Sequence, residues 1–255
     1  MEKRLEVLFT PADFEALARR DLGQSVCVVF DILRATSTMV TALARGAESI
    51  IPVREIADAV SVRRARPEVL LAGEREGLRI RSAQTGGVEF DLGNSPREFT
   101  AEKVRGRTIA MTTTNGTRAL QACAGARAVL AGSFLNLRAT VSRAMEIPAR
   151  EILLVCSGTG ERAAYEDVLG AGAFCAEIRA LGCEVAAGDS AHLARQIFEA
   201  AAGDLGGAML YSGNGRRLLD LADLRADVEF CLQRDCFGVV AEMVDGVVRR
   251  GGVKG

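Results

Sequence analysis

The sequence predicts an α/β protein, a layered α/β/α fold on a largely parallel sheet, and three observations carry that expectation. Short β-branched or apolar runs alternate with helical stretches along most of the chain. Aromatic residues make up only 5% and tryptophan is absent, so the core must be built from Ala, Val, Leu and Ile, as in helix-on-sheet packing. With 255 residues and 49% hydrophobic content, the chain can bury roughly 70–75% of its unfolded surface. It would do so as one unit spanning residues 1–255, or as two interleaved lobes with a soft boundary near residues 100–135.

The alternation runs LEVLF then PADFEALARR, SVCVVFD then ATSTMVTALARGA, SIIPV then REIADAVSVRRA, and VLLAG then a Gly-rich interval. It resumes with TIAMT and NGTRALQACAGA, AVLAG and NLRATVSRAMEI, and EILLVCSG and AYEDVLGAGAFCAEIRALG. Thr10 can cap a helix opened by Pro11, Gly46 and Gly125 can close helices in a left-handed conformation, and Pro52 ends a strand. Residues 73–96 are rich in Gly and charge and too long for an ordinary connection, so they form either a functional loop or a small hairpin excursion. From Asp189 the pattern is mainly helical. The chain then ends on FGVVAEMVDGVVRRGG, where Asp245-Gly246 between apolar runs signals a closing β-hairpin.

Lys and Arg number 32 against 33 Asp and Glu, so there is no global basic field to hold nucleic acid or an anionic membrane surface. No apolar run reaches the ~20 residues of a membrane span, and the N-terminus meets acids and a Pro before any long apolar stretch, so a cytoplasmic protein is expected. The seven cysteines form no C-x-x-C pair and sit mostly in apolar runs, which reads as reduced, buried thiols. The single histidine, His192, has no His or Cys at ligand spacing, which argues against a zinc site. The P-loop and Rossmann fingerprints are missing, and Asp31 lacks the second Asp two residues on that haloacid-dehalogenase phosphatases use.

In parallel α/β sheets ligands bind beyond the carboxyl ends of the strands. Four such places are polar. After SVCVVF comes Asp31, with Arg34, Thr36, Ser37 and Thr38 at a helix start: an Asp suits a hard divalent cation, and the Arg and hydroxyls suit anionic oxygens, or the same residues merely cap the helix. After VLLAG, Glu74 and Arg75 put a carboxylate beside a guanidinium, followed by Asn94 and Ser95 in a Gly turn before Pro96. Thr112, Thr113, Thr114, Asn115, Gly116, Thr117 and Arg118 form the densest hydroxyl cluster, more than capping needs. After EILLV, Cys156, Ser157, Gly158 and Thr159 precede Arg162 at the C-x5-R spacing of thiolate phosphatases, with Glu166 and Asp167 at the next helix start.

Taken in order, FDILRATST, LAGERE, FDLGNSP, TTTNGTRAL, AGSFLN, CSGTGE, YEDVLGAGA and VEFCLQRDCFGVV resemble the 2-phosphosulfolactate phosphatase family over nearly the whole chain. Two places depart from it. Residues 160–167 lack the apolar segment usual before the Glu-Asp pair, and Glu76 stands where a Gly is more usual. The resemblance implies a Mg²⁺-dependent phosphatase giving sulfolactate and phosphate, a step in coenzyme M synthesis in methanogens. On that reading Asp31, Glu74, Glu166 and Asp167 are the candidate metal ligands, and Asp31, Arg34 and Asp167 the catalytic group. Arg75, Arg118 and the residues at 36–38, 94–95, 113–117 and 157–159 would bind a small anionic phosphoester. A homodimer is the default expectation for such an enzyme.

Overall fold

The computed structural model describes residues 2–251. Its strands are β1 (Lys3–Leu8), β2 (Ser25–Phe30), β3 (Ser49–Pro52), β4 (Leu70–Arg75), β5 (Leu78–Arg79), β6 (Thr108–Thr112), β7 (Ala128–Gly132), β8 (Glu151–Cys156), β9 (Val185–Ala187), β10 (Val240–Val244) and β11 (Val247–Gly251). Between them lie helices α1 (Pro11–Glu15), α2 (Ala35–Ala44), α3 (Ile56–Ala65), α4 (Ala101–Val104), α5 (Gly116–Ala122), α6 (Leu137–Glu146), α7 (Tyr165–Ala180), α8 (Asp189–Ala201), α9 (Leu205–Ala208), α10 (Gly213–Asp220) and α11 (Arg225–Cys231). Among the described residues no helix is long and apolar enough to cross a membrane.

All eleven strands join one sheet in the order β5-β4-β6-β3-β11-β10-β7-β2-β8-β1-β9. Strands β4, β6 and β3 form one parallel block, and β7, β2, β8, β1 and β9 form another. The hairpin β10–β11 sits between them and pairs antiparallel on both sides. Three antiparallel steps therefore separate the blocks, and the two run in opposite senses. A twist of roughly 20–25° per strand pair, over the six steps from β4 to β2, turns one block by roughly 120–150° against the other. Carboxyl ends that are opposed along the sheet can thus face a common space. The chain crosses between the blocks twice before the closing hairpin, from β2 through α2 to β3 and from β6 through α5 to β7.

Both faces of the sheet are covered, and alternation along the central strands divides the core. Val26, Val28, Phe30, Ile152, Leu154 and Leu130 point into a cluster shared with α6, α7 and α8. Their neighbours Cys27, Val29, Leu153, Val155 and Val129 point into a second cluster under α2 and α5. At the far block, Ala110, Leu71 and Val69 pack with Ala59 and Val60 of α3 in a third. Continuous apolar runs in the sequence are thus strands buried on both sides.

Local chemistry accounts for the boundaries. In the two hairpins, Glu76 with Gly77 and Asp245 with Gly246 all have positive φ, the two-residue turn that suits strand twist. Residues 73–96 therefore begin with a hairpin, and Glu76 adopts the left-handed conformation that a Gly would hold without steric cost. Gly46 closes α2 at φ 96°, as expected. Gly125 does not take a left-handed conformation, because α5 already ends at Ala122, where Cys123 donates back to Leu120 O and Gln121 O. Thr10 serves α1 by donating its N–H and hydroxyl to Asp13 Oδ2, both at 2.9 Å.

Helix α7 carries a stripe of small residues because its neighbours press on it. A Cβ on Gly172 would lie 2.1 Å from Ala194 O and 2.7 Å from Phe198 Cβ, both on α8. Gly172→Ala is therefore expected to destabilise the protein by roughly 1–3 kcal/mol through overpacking. Chemical denaturation would register this as a lower midpoint at unchanged slope, and an unchanged midpoint would refute the close helix approach.

Candidate active site

A cleft of about 710 Å³ opens where loops from both blocks converge. Its lining includes Asp31 and Arg34 after β2, Glu74 to Arg79 at the β4–β5 hairpin, Asn94 in the loop that follows β5, Thr114 and Asn115 after β6, Thr159 and Gly160 after β8, and Asn214, Arg217 and Leu218 of α10. Segments far apart in the chain are thus brought to one rim.

Its floor is acidic. Asp31 Oδ1 accepts the N–H of Ala35 at 3.0 Å. Glu74 Oε1 accepts both the N–H and the hydroxyl of Thr114 at 3.0 Å, and Oε2 accepts the N–H of Gly77 at 2.7 Å. Behind them, Glu166 accepts from Ser212 Oγ at 2.5 Å and Asn214 Nδ2 at 2.6 Å. Asp167 accepts from the N–H of Ile32, the hydroxyl of Ser157 and the N–H of Gly158, at 2.9, 3.0 and 3.1 Å. All four carboxylates are at least nine-tenths buried. Among the described residues none of them has a Lys or Arg within ion-pair distance. Burial pushes the Asp31 carboxyl up to about 6; the Ala35 N–H opposes this, while the negative charges of Glu74 and Glu166 add to it. Burial and the charges of Glu166 and Asp31 also raise Asp167.

Buried carboxylates that lack a counter-charge and repel one another are a donor set suited to a hard cation. Among the described residues no three His, Cys, Asp or Glu side chains form a ready metal cage. Asp31 and Glu74, the two of the four that line the cleft, could hold such an ion through two or three oxygens, leaving water to complete the shell as Mg²⁺ prefers. The carboxamide oxygens of Asn94 and Asn115 are also buried in the cleft wall without a hydrogen-bond partner.

The structure brings some of the expected residues to the cleft and turns others elsewhere. Asp31, Arg34, Glu74, Arg75, Asn94, Thr114, Asn115 and Thr159 line it. The hydroxyls of Thr36, Ser37 and Thr38 do not: Thr36 and Ser37 bond the backbone oxygens of Asp31 and Ile32, nearby acceptors at their own helix start, and Thr38 bonds Asn94 O, 56 residues away on a neighbouring loop. Thr117 bonds Thr113 O in the same way, and Thr113 Oγ1 receives the Thr117 N–H. Ser95 is buried against Asp227, at 2.7 Å. Arg118 points away and pairs with Glu15 at 2.5 Å, so it is not a clamp on the cleft. Ser157 and Gly158 both donate to Asp167, which ties the loop after β2 to the loop after β8. Gly116 acts through its missing side chain: a Cβ there would lie 2.6 Å from Asp31 Oδ2 and 2.7 Å from Ala35 Cβ.

Two further expectations change. The Arg34 guanidinium is committed to protein, donating to Asp227 Oδ2 at 2.6 Å and to Gly77 O at 2.7 Å. Cys156 is fully buried and its thiol is pushed well above the ordinary range by burial, so the C-x5-R spacing does not mark a reactive thiolate. Sequence reasoning missed Asp227, Ser212, Asn214 and Arg217. Only the Ser-Gly-Asn-Gly run at 212–215, a turn signal opening a helix, hinted that this segment does more than cover the core.

The sequence model of the family described as 2-phosphosulpholactate phosphatase matches residues 12–246. The chain belongs to the 2-phosphosulfolactate phosphatase family. It is 37% identical over 244 residues to a protein of Caldanaerobacter subterraneus subsp. tengcongensis, covering 95% of this chain and 97% of that one. It is 40% identical over 220 residues to one from Thermotoga petrophila, covering 86% and 89%, and 39% identical over 222 residues to one from Deinococcus radiodurans, covering 87% and 88%. All three are named "Probable 2-phosphosulfolactate phosphatase". As a member of this phosphatase family, the protein is a phosphoric monoester hydrolase by class.

Two outcomes follow from the geometry. Gly116→Ala should lower kcat by roughly 100-fold by displacing Asp31, with an unchanged far-UV spectrum; near-normal turnover would remove Asp31 from the reacting centre. The second concerns pH. Between about 3.8, the ordinary Asp value, and about 6, the unfolded chain has released the Asp31 proton while the folded chain retains it. The Asp31 contribution to metal-free stability therefore falls across that window and levels off above it. Asp31→Asn should melt a few degrees above the metal-free wild type at pH 7.5 but not at pH 3.5, and an equal difference at both values would contradict the raised pKa.

Proposed function

We propose that the protein hydrolyses the phosphate ester of 2-phospho-3-sulfolactate to sulfolactate and phosphate, with Mg²⁺ as cofactor. The observation that carries this is the pairing, in one cleft, of buried carboxylates lacking a counter-cation with arginines lacking a counter-anion. Such a substrate brings a carboxylate, a sulfonate and a phosphate of nearly two charges at neutral pH. Phosphate monoesters are cleaved through a loose transition state, so positioning and charge neutralisation matter more than nucleophile strength.

Asp31 and Glu74 would hold the Mg²⁺, which when bound supplies the charge that polarises the phosphoryl group. The Ala35 N–H fixes one Asp31 oxygen, and Thr114 and the Gly77 N–H fix both oxygens of Glu74, so neither carboxylate needs to reorganise. Arg75 is steadied at the end of β4 by Glu74 O at 2.7 Å and Thr112 Oγ1 at 3.0 Å, and faces the cleft as a cation for phosphoryl oxygens. Asn115 Oδ1, buried without a donor, can accept a hydrogen bond from the attacking water.

Phosphate release should stop in EDTA and return with Mg²⁺, and among a panel of phosphomonoesters phosphosulfolactate should give the highest kcat/KM. Asp31→Asn should cost roughly 100–1000-fold in kcat. Turnover indifferent to EDTA would remove the metal from the reading, and a better substrate without a sulfonate would replace the one named.

A further inference from the structure

Five arginines line the cleft, and their partners sort them. Arg34 is paired with Asp227, Arg79 with Glu98 at 2.5 Å and Arg81 with Glu89 at 3.1 Å. Arg75 and Arg217 have no carboxylate partner among the described residues. Arg75 is nonetheless held by two backbone carbonyls and the Thr112 hydroxyl. The exposed Arg217 makes no hydrogen bond through its guanidinium to any described residue, and that group lies beside the hairpin turn, where a Cβ on Gly77 would be 3.1 Å from its Nη2.

Helix α10 fixes where this free charge stands. Ser212 caps the helix by accepting the Gly215 N–H at 2.8 Å while its own hydroxyl donates to Glu166. Asn214 donates to Glu166 Oε1 at 2.6 Å and to Thr159 Oγ1 at 2.7 Å, so the first turn is anchored on the acid cluster. Asn214, Arg217 and Leu218, spaced by three and four residues, share a helix face, and all three line the cleft. Three residues rise about 4.5 Å, so Arg217 stands one turn further along the cleft than the anchor on Glu166.

That place, in the cleft shared with Asp31 and Glu74 and beside the Gly77 turn whose N–H bonds Glu74, suits the substrate proposed above, on which this inference rests. With the phosphate at the carboxylates, the substrate's own carboxylate is on the same carbon as the ester oxygen and stays close to the phosphate. The sulfonate is one carbon further out. We propose that Arg217 binds this sulfonate and selects phosphate esters that carry a second, strongly acidic anion on the neighbouring carbon. A sulfonate keeps its charge at every working pH and offers three oxygens to the guanidinium fork.

The test compares wild type, Arg217→Ala and Arg217→Lys on three esters: phosphosulfolactate, 2-phospholactate, which lacks the sulfonate, and 2-phosphooxyethanesulfonate, which lacks the carboxylate. Arg217→Ala should lower kcat/KM roughly 10–100-fold on the two sulfonates, through KM and not kcat, and leave phospholactate unchanged. Arg217→Lys should restore part of the loss. Equal losses on all three esters, no loss on any, or a loss confined to phospholactate would overturn the assignment. Calorimetric binding of sulfolactate to wild type and Arg217→Ala separates this inference from the phosphatase reading. Arg217-dependent binding by a protein that releases no phosphate would sink the reaction and keep the subsite. Equal binding to both proteins, or none to wild type, sinks the subsite whatever the reaction.

Discussion

Mutual repulsion among Asp31, Glu74, Glu166 and Asp167 is the constraint around which the cleft is organised. Buried carboxylates without a counter-cation are costly, and here the protein offsets the cost with N–H and O–H donors. Those donors come from the loop after β2, the β4–β5 turn, the loop after β6, the loop after β8 and the start of α10. Glu74, Glu166 and Asp167 therefore each gather a separate piece of chain, while Asp31 is held by its own helix start. Charge that a small domain would ordinarily avoid burying becomes the device that draws remote loops together.

The arginines answer to a different logic. Arg34 lies almost wholly inside, 3% exposed, and joins the loop after β2 to Gly77 of the hairpin and to Asp227 of α11. Its charge is cancelled by a carboxylate with no exposure at all, so it braces the cleft wall instead of attracting anions. Ser95 completes the brace from the other oxygen of Asp227. Attraction of an anionic ligand falls to the guanidinium groups that no carboxylate claims.

Much of the fold was legible because it is written locally. Apolar runs of four to six residues marked the central strands, the Asp-Gly turn marked the last hairpin, and Asp31 and Glu74 stood where ligands of parallel sheets are expected. What escaped depends on distance along the chain or on choices between neighbours. Asp227 lies 193 residues from Arg34, and nothing near either residue announces the other. The hydroxyls at 36–38 had two outlets, a ligand or backbone oxygens, and only coordinates reveal that backbone took all three, adjacent for Thr36 and Ser37 and 56 residues away for Thr38. Arg217 reads in the sequence as one more charge on the wet side of a helix. Its place in the cleft follows from α10 docking on Glu166, a contact between residues 46 and 48 positions apart.

The hairpin of β10 and β11 comes after every other strand in the chain, yet it occupies the middle of the sheet. Until it inserts, β3 and β7 face each other as unpaired edges and the two parallel blocks share no hydrogen-bonded seam. During synthesis on the ribosome, each block can form its own contacts early, but the reversal that turns both sets of loops toward one another must wait for residues 240–251. The cleft thus depends on a keystone far in sequence from the acids it brings face to face.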